Sequence, residues 1–244
     1  MTEEATAQTP ARMQDAIRDE GPQFALPLVV LVARDAPPAR TDALECAAQA
    51  VLRFLSDARV TNPEGEWAAA TRAWQDARIR KVVRRARGAA WTRAGALPGI
   101  TVERRTAHIR VYPPVPVDDW PADLARLQVS GTDFDDPRPP AEPAEGTPVL
   151  WMNPELTMTA GKAMAQAGHG AQLAWWGLSP RIRSEWLDLD FDLTVRVAGK
   201  DQWARLLASG LPVVTDGGFT EVEPGSATVV VDHPALRALL GTSR

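Results

Sequence analysis

Along the second half of the chain, apolar positions fall into short runs and helical stripes that alternate. Residues 147–152 (TPVLWM) form a brief apolar run closed by Asn153-Pro154, a length and setting that predict a buried strand. Thr159 then stands where a helix N-cap belongs, and AGKAMAQAGHGAQLAWWGL continues for about five turns until Gly177 and Ser179-Pro180 stop it. Gly168 and Gly170 each cost such a helix about 1 kcal/mol against Ala, so they predict close approach by a neighbour or a ligand. A short helix ending near Trp186 follows. Residues 191–198 alternate like a strand, residues 200–209 have helical spacing with Gly210 as the stop, and LPVVTDGG and SATVVVD are two further strands.

The first half repeats this plan. LVVLVA after Pro27 parallels the run after Pro148, and ALECAAQAVLRFL parallels GKAMAQAGHGAQLAWW. Trp74 and Trp91 bracket RKVVRRA with the same separation by which Trp186 and Trp203 bracket LTVRVAG. ALPGITVERRTAHIRVYPP aligns with GLPVVTDGGFTEVEPGSATVVVDHP if the DGGFT region is missing from the first copy. The expected fold class is therefore α/β, with two similar small units that each have a mixed sheet of about four strands flanked by helices. The expected division is a flexible tail (1–22), a first unit (23–117), an acidic Pro-rich linker (118–146) and a second unit (147–244).

Composition narrows the chemistry. The chain has 244 residues, with 27 Lys and Arg against 31 Asp and Glu. The lone Cys46 excludes an intrachain disulfide framework, and His108, His169 and His233 show no metal-ligand spacing, so no metal is expected. No apolar run reaches membrane-spanning length, and the acidic start is unlike a secretory signal, so the expectation is a cytoplasmic protein with no membrane partner. The net charge of −4 conceals a basic segment, RIRKVVRRAR, whose Arg80, Lys81, Arg84, Arg85 and Arg87 are candidates for nucleic-acid phosphates.

Lys162, Gln166 and His169 fall on one helical stripe, with Lys162 in the first turn where the positive helix end favours an anion. The only lysines are Lys81, Lys162 and Lys200 in a chain that otherwise uses Arg, which singles out a point-charge donor at 162. Asp216 closes a strand, with Gly217-Gly218 behind it and Thr220 and Thr228 nearby.

LTMTAGKAMAQAGHGAQLA and GLPVVTDGGFTEVEPGSATVVV, in that order and spacing, resemble the type 2 peptidyl-tRNA hydrolase family over about residues 147–234. The chain departs from the family pattern at Gly217, Phe219, Glu221 and Asn153-Pro154, and Asp188, Asp190 and Asp192 are acidic where the family tends to be basic. The resemblance implies hydrolysis of the ester joining a peptide to the 3′ end of tRNA, without a cofactor, with peptidyl-tRNA as the partner. Lys162, Asp216 and Thr220 would be catalytic, and Gln166, His169, Gly218 and Thr228 would bind substrate. In the mechanism this suggests, Asp216 orients water while Lys162 or the helix-end amides stabilise the oxyanion. The first half, with Glu45 or Cys46 opposite Lys162 and no counterpart of Asp216, would be an inactive copy, the protein being a monomer with pseudo-dimeric halves or a homodimer. The alternative is a non-catalytic descendant that binds tRNA or protein.

Overall fold

The computed structural model describes residues 22–218 and 221–241. The expected N-terminal tail lies, but for its last residue, outside the described residues.

The first half holds β1 (Phe24–Leu31), α1 (Arg40–Ser56), α2 (Ala58–Thr61), α3 (Ala68–Asp76), β2 (Lys81–Ala86), α4 (Gly88–Gly95), β3 (Ile100–Arg104) and β4 (Ala107–Val111). The second holds β6 (Val149–Met152), α6 (Ala160–Gly177), α7 (Pro180–Asp188), β7 (Thr194–Val197), α8 (Lys200–Leu207), β8 (Val213–Thr215), β9 (Ala227–Asp232) and α9 (Pro234–Gly241). Between them lie β5 (Val115–Pro116) and α5 (Ala122–Ala125).

The halves share one topology. The first sheet runs β2-β1-β4-β3 and the second β7-β6-β9-β8; in each, the first pair is parallel and the other two antiparallel. β5 pairs with β1 and brings the first sheet to five strands. Register gives residue-level equivalence: Leu28 sits between Val83 and Val111 as Leu150 sits between Val195 and Val231. The paired tryptophans agree with it. Trp74 donates its indole N–H to the Arg80 carbonyl (2.8 Å) and Trp186 to that of Asp192 (2.9 Å), six residues on in both copies.

α1 and α6 pack against each other, each covering its own sheet and reaching across to the other half's parallel edge strand: α1 touches β7 and α6 touches β2. One continuous core results, joining Leu28, Phe54 and Ile109 of the first half to Leu150, Met164 and Val229 of the second. The two costly glycines of α6 are explained by this packing. A Cβ on Gly168 would stand 3.0 Å from Val51 Cγ2 and 3.1 Å from Lys81 Cδ, and one on Gly170 would stand 3.1 Å from Val229 Cγ1.

The Pro-rich stretch 118–146, which connects the halves, is also anchored to both of them. Leu124 and Leu127 close a second apolar cluster on the outer face of the first sheet, with Val29, Ala86, Ala94 and Tyr112. Farther on, the buried Thr132 hydroxyl accepts from the Gly161 amide (3.0 Å), and Asp136 accepts from the Thr41 amide at the start of α1 (2.8 Å). A few anchors thus hold a segment whose composition is that of solvated chain.

At the end of the fold, His233 caps α9: its Nδ1 accepts from the Ala235 amide (3.1 Å) while the ring stands edge-on to Trp186. Burial pulls its pKa down to about 4, against a smaller opposing pull from Asp232. The folded protein therefore binds fewer protons than the unfolded chain between about pH 4 and the free value near 6.5. Stability is complete above this window and falls as pH drops through it, by up to roughly 3 kcal/mol. His233→Asn, which retains a cap acceptor, is expected to flatten the acid limb of a pH-dependent denaturant series.

Candidate active site

Thr159 forms the N-cap of α6 as its position predicts, its hydroxyl accepting from the Lys162 amide (3.2 Å). Glu221 fixes Thr159 in turn, accepting from its amide (2.8 Å) and its hydroxyl (2.7 Å). With Thr132 on the Gly161 amide, the amides of residues 161 and 162 are already bonded. The Lys162 ammonium, not those helix-end amides, is the donor left to face a ligand.

Lys162 Nζ lies 2.6 Å from Asp216 Oδ2, with both side chains nearly buried. Gln166, one turn along α6, donates its amide N–H to the same carboxylate oxygen (2.6 Å), and its carbonyl accepts from the Thr228 hydroxyl (2.6 Å). A register shift between β8 and β9 leaves Thr228 without a partner in β8, while its carbonyl accepts from the Asn153 amide (3.0 Å) just beyond β6. The Gly218 amide donates to Asp216 Oδ1 (2.8 Å). Gly218 has φ +75°, and a Cβ there would stand 2.3 Å from Pro224, so the loop behind Asp216 accepts only glycine. Lys162, Gln166, Asp216, Gly218 and Thr228 are therefore one hydrogen-bonded chain. Thr220, expected beside them, lies outside the described residues.

Of this chain, Lys162, Gln166 and Asp216 line one wall of a cleft of about 1080 Å³ whose other wall comes from the first half, through residues 78–83, and from residues 129–133; Thr228, fully buried, stands behind Gln166 and off the cleft. The stripe on α6 continues along it through His169 and Leu173 to the half-exposed Trp176. His169 lines the cleft but bonds none of the Lys162 cluster; its Nδ1 stands 3.2 Å from Lys81 Nζ. Burial, with the Lys81 and Lys162 charges beside it, holds His169 well below the usual imidazole range. Among the described residues no group of three His, Cys, Asp or Glu side chains could hold a metal ion.

The five basic candidates on and beside β2 have different surroundings. Lys81 is buried and points inward to α6. Arg84 lies over Trp120 and donates to the carbonyls of Ala125 (3.0 Å) and Leu127 (2.6 Å), and Arg85 donates to the Ser130 carbonyl (2.7 Å) and to the Gln128 side chain. These three cations fasten the protein's own elements. Arg80 lines the cleft and Arg87 is exposed.

The corresponding place in the first half holds the opposite charges. Gln49 in Ala-Gln-Ala answers Gln166, which sets Glu45 against Lys162. Val102 pairs with Ile109 as Val214 pairs with Val229, so two residues on, Arg104 stands where Asp216 does. Glu45 is fully buried and accepts from Arg104 (3.0 Å), Arg105 (2.9 Å) and Arg196 (2.8 Å), the last from β7 of the other half. The pseudo-equivalent position is thus closed by an ion-pair network. Cys46 beside it is inert, its thiol pushed up to about 12 by burial. No protein-family model matches the chain.

No helix among the described residues is long and apolar enough to cross a membrane.

Proposed function

We propose that this protein hydrolyses the ester between a peptide and the 3′ end of tRNA. The observation that carries the reading is the hydrogen-bonded chain in which Lys162, Gln166 and Asp216 line an open cleft and the buried Thr228 holds Gln166 from behind. Four residues that the family resemblance marks, drawn from α6, β9 and the loop after β8, converge there.

The chemistry follows from the hydrogen-bond inventory. Asp216 Oδ2 accepts from Lys162 and Gln166, while Oδ1 accepts one amide and keeps a lone pair for water. That lone pair orients the attacking water toward the ester carbonyl. Lys162 stands beside the same carboxylate, where a point charge stabilises the tetrahedral oxyanion. The Thr228 hydroxyl fixes the Gln166 amide so that its N–H, not its carbonyl, faces Asp216. Collapse of the intermediate breaks the bond to the ribose 3′ oxygen, which takes up one proton of the attacking water while the other passes to solvent, leaving the peptide carboxylate and a free 3′ hydroxyl.

The test is release of N-acetylated amino acid or peptide from charged tRNA by the purified protein. Asp216→Asn keeps the shape and loses the anionic acceptor, so cleavage is expected to fall on the order of 10²-fold. Intact ester after prolonged incubation with wild-type protein would exclude hydrolysis and leave a tRNA- or protein-binding role for the cleft.

A further inference from the structure

Lys81 opens β2, the edge strand of the inactive half, yet its side chain crosses to α6 and ends on the cleft. The amine contacts Gln172 Oε1 (2.5 Å), His169 Nδ1 (3.2 Å) and the Ile79 carbonyl (3.4 Å), and it stands 4.8 Å from the Trp74 ring centre. Every one of these partners is neutral. Gln172, fully buried, turns its carbonyl to Lys81 and leaves its amide N–H groups without a partner, so the cluster has more donors than acceptors.

We propose that Lys81 and His169 form a phosphate subsite of the cleft, in which a phosphodiester of the bound ligand supplies the counter-charge that the lysine lacks. A buried ammonium among neutral acceptors is costly, and an oxyanion beside it removes that cost through a charge-assisted hydrogen bond. A lysine suits phosphate as a point charge. Once Lys81 is protonated it can only donate to His169 Nδ1, which leaves the proton of the neutral ring on Nε2 as a second donor. The other charged groups on the cleft are Arg78 and Arg80 on the same wall, Lys162 bonded to Asp216, Asp133, and Glu221 bonded to Thr159. With no ligand, burial alone holds the amine well below the usual lysine range, and no carboxylate acts to raise it. Binding of the phosphate therefore draws a proton onto Lys81. The first half would then contribute recognition to a site whose chemistry belongs to the second.

The inference shares the cleft with the proposed hydrolysis but not the reaction, and its test needs no turnover. Calorimetric titration of the full chain with the dinucleoside monophosphate CpA at pH 8, in two buffers of different ionisation enthalpy, reads affinity and proton uptake together. CpA has no group of its own titrating near that pH. Wild-type protein is expected to bind it with net proton uptake. Lys81→Met is expected to weaken binding roughly tenfold or more and to abolish the uptake. Its near-UV circular dichroism should match that of wild type, so that lost binding is read at the subsite and not as unfolding. Binding by Lys81→Met within twofold of wild type would overturn the subsite. So would equal affinity for an equimolar mixture of cytidine and adenosine, or for N-acetylglycylglycine, a carboxylate in place of the phosphate. Loss of hydrolysis with CpA binding and uptake intact would remove the enzyme reading and leave this one standing.

Discussion

Lys162→Met is expected to lower kcat for peptide release on the order of 10²–10³-fold while changing KM little. The asymmetry between the two constants follows from where the charge acts. The ester carbonyl is nearly neutral in the ground state and carries a full negative charge at the tetrahedral stage, so a cation beside it binds the second far better than the first. Lys162 also holds Asp216, 2.6 Å away, and losing it leaves that carboxylate with the Gln166 and Gly218 N–H groups alone. Because Lys162 and Asp216 act as a pair, Lys162→Met/Asp216→Asn should be little slower than the worse single variant. Lys162→Arg is expected to recover little, since a planar fork cannot replace a compact ammonium between Asp216 and the substrate. Single-turnover release with saturating and limiting protein separates the two constants. A rise in KM with kcat unchanged would move Lys162 from transition-state stabilisation to binding.

The site's second-half residues were legible because the reasons for their placement are local. Thr159 announces the helix start, helical spacing then puts Gln166 one turn beyond Lys162, and Gly217-Gly218 marks the loop that Asp216 closes. The duplication was legible for a similar reason, because each tryptophan is tied to a carbonyl a fixed distance along the chain. What could not be read was tertiary. Lys81 belongs by composition to an arginine-rich strand, and only the register of β2 against β1 decides that position 81 faces α6. Arg84 and Arg85 spend their donors on carbonyls of a segment whose sequence resembles solvated linker. Thr132 and Asp136 resemble any polar loop residues until α6 and α1 present amides to them. The inverted pair Glu45 and Arg104 needed both registers, since an alignment of letters shows only that Lys162 and Asp216 have no like-charged counterparts.

That inverted pair sets the largest expected effect on stability. Glu45 has no exposed surface, and its carboxylate is shared by Arg104, Arg105, Arg196 and the Val195 amide. Arg104 and Arg196 are themselves mostly buried, and Arg196 comes from the opposite half. Removing the acid leaves these guanidinium groups facing one another with only Asp42, Asp192 and backbone carbonyls as acceptors, and breaking a buried pair in this way typically costs about 3–5 kcal/mol. Glu45→Leu is therefore expected to shift the denaturant midpoint by a large part of the protein's whole stability. Glu45→Gln retains an acceptor and the shape, and should fall between Glu45→Leu and wild type. Because Arg196 carries the network across the boundary, the loss should reach both halves: Trp74 of the first and Trp186 of the second should unfold at the same lowered midpoint. Probes that separate, with the second half keeping its wild-type midpoint, would show that Glu45 serves the first sheet alone and that the shared core, not this network, holds the halves together.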